Sequence, residues 1–343
     1  MPCSLCSAAD GRKPHRSRSR HGSNQSVSTP SAQQQSSAEP IVWINGRLVP
    51  WSAAALPVWD LGVVAGAAVT EAGRTYGGRF LFADQHVERL LHALRELDFP
   101  PASEKHQLLQ AAEEIIQQNF QLLPEGSDLG VVMFSTAGGN STYLGRPSSQ
   151  PTTVVHTYPL PFSQWRNAFL SGVRLTVSQL RQIPADCFPV SLKVRNRLHW
   201  WLADHAAEQQ SPGSRALLLN RDGSVAETST ASVCVVRNGH VTTPDGDVLN
   251  SLSSRLVERL CQNAGIPFTR CKVNLSELQN AEEIFLTSSP SCLLPVLSVD
   301  GHKTQTLPGR GAVFRRLLRD WSLATGVDLE QQMLRSDKSE ISR

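Results

Sequence analysis

Four dipeptides, Asn45-Gly46, Gly77-Gly78, Asp222-Gly223 and Asn238-Gly239, interrupt runs of apolar residues and dictate chain reversals. A two-residue hairpin turn of the primed type needs positive φ at both central positions, which Asn, Asp and Gly adopt at least cost. Ile41–Ile44 and Arg47–Val49 flank the first, and Arg74–Tyr76 and Arg79–Phe82 flank the second. A meander of Ala216–Leu219, Val225–Val236 and His240–Thr243 carries the other two. Between these hairpins the apolar period changes to that of a helix. Asp84 can cap a helix bearing Val87, Leu90, Leu91, Leu94 and Leu97, and a second, from Ser103 to Phe120, bears Leu108, Leu109, Ala112, Ile115 and Ile116. Leu256, Val257, Leu260 and Cys261 stripe a helix from Ser253 to Ala264, and Val313, Phe314, Leu317, Leu318 and Trp321 stripe one before Gly326. A further helix runs from Lys193 to Ala207. Leu129–Phe134, Thr152–Tyr158, Val173–Leu180, Glu283–Thr287 and Leu294–Val299 read as strands. Hairpins and helices in separate runs make an α+β fold.

The 343 residues suffice for two domains. The expected division is a disordered, basic, Ser-rich tail over 1–40, a small α+β domain over 41–158 and a linker over 159–164, marked by Pro159-Leu160-Pro161. A larger β-rich domain over 165–328 and a polar C-terminal tail over 329–343 follow. The net charge of +3 is concentrated in the first tail, at Arg12, Lys13, Arg16, Arg18 and Arg20, so no nucleic-acid partner is expected of the folded body. No apolar run reaches the roughly 18–20 residues of a membrane span. Seven scattered cysteines are no disulfide framework, which fits a cytoplasmic protein. Cys3 and Cys6 have metal-ligand spacing but no second Cys/His pair nearby, so no metal site is expected.

Nucleophile elbows, phosphate-binding glycine loops and zinc-protease helices are all missing from the sequence. What stands out is a lysine in a chain that prefers arginine. Lys13 and Lys338 lie in tails, and Lys105, Lys272 and Lys303 have surface settings. Lys193 instead follows a proline-bounded loop, Pro184 to Pro189, at a helix entry, where partial desolvation would lower the pKa of a nucleophilic amine. The helical histidines His86, His92, His199 and His205 read as surface or satisfied core. Trp43, Trp51, Trp59, Trp200 and Trp201 read as packing.

The segments around that lysine form an ordered set: Lys193-Val-Arg-Asn196-Arg-Leu198, Glu227 after Asp222-Gly223, Thr242-Thr243-Pro244, Leu249-Asn-Ser251-Leu252-Ser253, and Phe285-Leu-Thr-Ser288-Ser289-Pro290. Upstream stand Leu56-Pro-Val-Trp-Asp60-Leu-Gly62, Gly66, Glu71, Arg74 and Asp84-Gln-His86-Val-Glu-Arg89-Leu90. Over residues 41–325 this order resembles the class IV, fold-type IV, pyridoxal phosphate enzymes: branched-chain and D-amino-acid aminotransferases and aminodeoxychorismate lyase. The resemblance implies a two-domain fold with pyridoxal 5′-phosphate at the domain interface, and a homodimer in which a neighbour's loop completes each site. Lys193 would carry the cofactor as a Schiff base and move protons between substrate Cα and cofactor C4′. Glu227 would keep the pyridine nitrogen protonated. Ser251, Leu252 and Ser253 at a helix N-terminus, with Arg74, Ser288 and Ser289, would hold the phosphate.

The implied reaction moves an amino group between an amino acid and a 2-oxo acid; the alternatives are release of pyruvate from 4-amino-4-deoxychorismate and a non-catalytic binding protein. Departures from the family pattern gather at the substrate end. Ser232 and Cys234 replace the usual asparagine and aromatic, and Leu198 stands where branched-chain enzymes have tyrosine. No arginine adjoins Phe134–Thr136, and Pro290 has no N–H to give. Thr70, Thr136, Arg146 and Ser291 are the candidate substrate contacts.

Overall fold

The computed structural model describes residues 39–100, 103–148, 150–306 and 310–335. The basic tail ahead of Glu39, with Cys3 and Cys6, lies outside the described residues, as do the residues after Arg335.

Strands β1 (Ile41–Ile44) and β2 (Arg47–Pro50) form the first hairpin, with φ of 47° at Asn45 and 84° at Gly46. There follow α1 (Leu61–Val64), β3 (Ala68–Arg74), α2 (Ala83–Glu96), α3 (Lys105–Phe120), β4 (Leu129–Thr136), α4 (Ser141–Leu144) and β5 (Thr153–Pro159). The strands make an antiparallel sheet in the order β2-β1-β5-β4-β3, which leaves β3 at an edge. Helices α2 and α3 cover one face. Their Val87, Leu90, Leu94, Leu108, Ile115 and Ile116 bury against Val69, Val131, Met133 and Val155. Each such side chain contributes about 1.5–3 kcal/mol by leaving water. The other face carries a thinner layer, Val42, Phe134 and Val154, beside Trp51 and Leu56.

The chain continues through α5 (Phe162–Ser171), β6 (Val173–Arg181), α6 (Leu198–Gln210), β7 (Ser214–Leu219), β8 (Val225–Thr228), β9 (Ser232–Arg237) and β10 (His240–Thr243). Then come α7 (Leu252–Ala264), β11 (Phe268–Arg270), α8 (Leu275–Gln279), β12 (Glu283–Ser288), β13 (Cys292–Val299), β14 (His302–Lys303), α9 (Ala312–Thr325) and α10 (Leu329–Leu334). These strands build a nine-stranded mixed sheet ordered β11-β10-β9-β12-β13-β6-β7-β8, with β14 on β13. Phe169, Phe285, Phe314 and Trp321 fill its core. The α+β expectation holds. No helix among the described residues is long and apolar enough to cross a membrane, and the described cysteines are all free.

Several local expectations are corrected. Gly77-Gly78 reverses the chain, but only a Tyr76–Arg79 bridge forms, because the Asp128 carboxylate takes the two glycine N–H groups and pins the turn in place of a ladder. Helix α2 therefore starts from Phe82, and Asp84 pairs with Lys105 rather than capping. Linker residues 162–164 are already helical in α5, with Pro161 at its N-cap and Phe162 and Phe169 buried. The meander run Val225–Val236 breaks at Ser229–Ala231, where Thr228 and Ala231 close a tight turn. Residues 329–334, expected in a polar tail, form α10: Leu329 and Met333, one turn apart, bury on one face, and Asp328 caps the helix through Gln331 N. The tryptophans divide: Trp43 and Trp200 are buried, whereas Trp51, Trp59 and Trp201 are exposed.

Candidate active site

The segment that carries Lys193 enters no helix directly; it docks on the free edge of β3. Thr70 N donates to Lys193 O at 2.8 Å, Arg195 N donates to Ala68 O at 2.8 Å, and Val69 pairs with Val194. An edge strand offers unpaired backbone groups, and this segment satisfies them. Helix α6 begins only at Leu198. Lys193 thus stands where the edge of the first sheet meets the edge of the second, because β8, which carries Glu227, is also an outermost strand. Between them opens a cavity of about 450 Å³. Lys105 and Lys272 are exposed and paired with acids, as surface lysines should be.

Lys193, Glu227, Ser251, Leu252, Ser253, Ser288, Ser289 and Thr70 all line this cavity. Burial pushes the Lys193 amine down to about 8, the Glu71 charge opposing and Arg89 and Arg197 reinforcing the effect. Burial pushes the Glu227 carboxyl up to about 7, against the opposing pull of the Leu249 N–H, Lys193, Arg197 and Gln182. Its Oε1 accepts from Gln182 Nε2 at 3.2 Å and from Leu249 N at 3.2 Å. Such a pair, an amine poised to lose a proton and a carboxyl poised to keep one near neutral pH, is suited to proton transfer.

The other end of the cavity is built for an anion. Ser251 caps α7 through Ser254 N, and the next N–H groups, of Leu252 and Ser253, are the first-turn donors that a helix leaves unpaired. Ser288 and Ser289 approach from the β12–β13 turn. Thr287 Oγ1 also lines the cavity, fully buried and without a hydrogen-bond partner among the described residues.

Two arginines stand near this cradle. Arg74, the expected phosphate ligand, is buried beside Tyr76 and spends its donors on protein: Nε on Thr75 O at 2.9 Å, Nη1 on Pro290 O at 3.3 Å, and Nη2 on Asp128 at 3.3 Å and Gln332 at 2.7 Å. It borders a pocket of about 100 Å³ that shares Leu252, Ser253 and Ser289 with the cavity, but does not line the cavity itself. Arg89 of α2 lines the cavity instead, with Nη1 on Asn250 O at 2.8 Å, next to the α7 cap. Glu71 holds it by two bonds, Nε–Oε1 at 2.6 Å and Nη2–Oε2 at 2.7 Å, and His86 Nδ1 meets the same carboxylate at 2.7 Å. Burial would raise the Glu71 carboxyl, but Arg89 and His86 together hold it at about 2. The helical spacing of His86 and Arg89, one turn apart and facing a strand glutamate, was the sequence signal for this cluster.

Three substrate candidates lie elsewhere. Thr136 is buried against Asp60, whose Oδ2 also takes Thr152 Oγ1, so its hydroxyl is committed to fixing the Asp60 turn. Arg146 is exposed after α4, away from the cavity. Ser291 is buried on Ser288 Oγ at 2.7 Å and does not line it. Cavity residues that sequence reading passed over are Arg89, Thr287, Tyr158, Gln182, Arg195 and Arg197.

The family model of amino-transferase class IV matches residues 68–299. A D-alanine aminotransferase of Bacillus licheniformis is 27% identical over 274 residues, spanning 79% of this chain and 91% of its own length. Among solved structures, the Escherichia coli branched-chain amino acid aminotransferase superposes with a TM-score of 0.76 at 20% identity, covering 88% of this chain and 97% of that one. The branched-chain amino acid aminotransferase of Thermobaculum terrenum, solved in its PLP form, gives 0.74 at 22% identity, covering 86% and 96%. The two-sheet architecture is accordingly fold-type IV, and the chain belongs to the class IV aminotransferases.

Proposed function

We propose that this chain is a pyridoxal-phosphate-dependent aminotransferase, moving an amino group between an amino acid and a 2-oxo acid through Lys193. The observation that carries this reading is the shared cavity of Lys193 and Glu227, with their displaced proton affinities, beside an anion cradle at the start of α7. The residues fit the cofactor: Arg89, the Leu252 and Ser253 N–H groups, Ser288, Ser289 and the orphaned Thr287 hydroxyl would hold its phosphate, and Glu227 its ring nitrogen. When bound, pyridoxal phosphate supplies an electrophilic carbonyl and a ring that delocalises the electron pair left at substrate Cα. Lys193, whose amine burial lowers to about 8, would hold the cofactor carbonyl, yield it to the incoming amine and move the proton at substrate Cα. Glu227 would meet the ring nitrogen, where its carboxylate form would stabilise the protonated ring. Ile183, Phe188, Val190 and Leu192 wall the cavity with apolar surface and limit water.

The relatives favour this reading over elimination of pyruvate and over a non-catalytic role. Its test is a spectral titration of the holoenzyme with L- and D-amino acids and with aminodeoxychorismate. A pyridoxamine-type spectrum formed by one amino acid and reversed by a 2-oxo acid is the expected result. Pyruvate released from aminodeoxychorismate alone would sink it. The exposed Trp51 and Leu56 beside the thin face of the first sheet, followed by the exposed Val58, Trp59 and Val63, support a homodimer, which sedimentation would register as twice the 37.5 kDa chain; a monomer at micromolar concentration would refute it.

Glu227 makes a pH prediction. Its folded-state affinity, raised from 4.5 to about 7, means that the unfolded chain loses this proton first as pH rises. Stability is therefore lost between about 4.5 and 7, and the full penalty stands above 7. Glu227→Gln should stabilise the cofactor-free protein by about 1–3 kcal/mol at pH 8, with no gain below pH 4.5, while lowering turnover roughly 10²–10⁴-fold. Urea unfolding at both pH values checks the first part; equal effects at both would contradict it.

A further inference from the structure

Every amino acid and 2-oxo acid carries an α-carboxylate, yet Thr136, Arg146 and Ser291 do not reach the cavity. We infer that Arg195 binds it, an assignment that rests on the aminotransferase reading. Residues 193–195 run extended and antiparallel to β3, as the paired bonds to Thr70 N and Ala68 O require. In an extended segment alternate side chains point to opposite sides. Val194 packs against the core beneath the first sheet as well as touching the cavity wall, while Lys193 and Arg195, on the opposite side of the segment, both line the cavity.

The guanidinium is held from two directions. Its central carbon lies 4.1 Å from the centroid of the Phe134 ring, and Nε donates to Thr70 Oγ1 at 3.3 Å. Thr70 is in turn fixed on Met133 O at 3.1 Å. Nη1 and Nη2 have no hydrogen-bond partner, and no carboxylate pairs with Arg195 among the described residues. The other cationic groups of the cavity are occupied. Glu71 holds Arg89, Arg197 donates to Ser229 O and faces Glu227, and Lys193 is the base. A clamped guanidinium with both terminal NH2 groups free matches a carboxylate by paired hydrogen bonds. The carbon that Lys193 deprotonates is the one bearing the α-carboxylate, and Arg195 reaches toward it from the same side of the same segment.

Arg195→Ala and Arg195→Lys holoenzymes test this. For Arg195→Ala, KM for both the amino acid and the 2-oxo acid should rise about 10- to 100-fold with a much smaller change in kcat, and Lys should recover part of the loss. Monocarboxylic and dicarboxylic substrates should suffer alike, whereas a primary amine lacking any carboxylate should react equally with wild type and variant. Calorimetric titration with hexanoate, which cannot react, should lose affinity by the same factor. Unchanged KM values, a loss confined to dicarboxylic substrates, or an equal loss for the carboxylate-free amine would each overturn the assignment. If the wild type transfers no amino group from any donor, the aminotransferase reading fails on its own. Hexanoate binding then still decides Arg195: weaker binding to the Ala variant sustains a carboxylate site, and equal binding removes it.

Discussion

Lys193→Ala should abolish amino transfer, lowering turnover by roughly 10⁴-fold or more, because the substitution removes both the amine that releases the cofactor carbonyl and the base that moves the proton. Neither Lys105 nor Lys272 can substitute. Lys105 is tied to Asp84 and Glu88, and Lys272 to Asp222, all at the surface. Treatment of the wild type with borohydride should fix a pyridoxyl label on the peptide containing Lys193, and the variant should take none. The fold should survive, because the substitution deletes a cation that burial already disfavours. A variant with intact activity, or a label on another peptide, would overturn the central assignment.

The second large effect separates two arginines. Arg74→Gln should cost about 3 kcal/mol of stability, since a buried guanidinium bonded to Asp128 and Gln332 and stacked on Tyr76 is lost from the interior. Asp128 keeps Thr75, Gly77, Gly78 and Gln332 as donors, which holds the loss to the lower end of the range for broken buried pairs. Cofactor affinity of the molecules that remain folded should hardly move. Arg89→Gln should do the opposite, weakening cofactor binding about 10- to 100-fold through the lost charge-assisted bonds to phosphate. Urea unfolding and cofactor titration of both variants decide the matter. The reverse pattern would restore Arg74 to the phosphate site.

The site also shows where sequence reading stops. Lys193 and Glu227 were legible because a lone lysine after a proline loop, followed by a strand glutamate, belongs to an ordered set of motifs. The N-terminus of α7 was legible because a serine cap and its free donors are local properties of a few residues. The commitment of Arg74 was not, since Gln332, which takes its Nη2, stands 258 positions away in a segment that read as polar tail. Thr136 was lost to the site for the same reason: Asp60, 76 positions earlier, claims its hydroxyl. Helices α1, α4, α8 and α10 have 4, 4, 5 and 6 residues, too few for apolar periodicity to speak. Arg195 was visible as a residue, but its direction became clear only when the segment was found paired to β3.

The tie between Arg74 and Gln332 also bears on the order of synthesis. The first sheet leaves the ribosome long before α10 does, yet the guanidinium buried at its edge is not fully enclosed until the last turn of the described chain arrives. A nascent polypeptide can therefore pair β1 through β5 and still carry an incompletely satisfied cation, waiting on a glutamine translated 258 positions later. Enclosure of an early strand's charge falls to a much later helix.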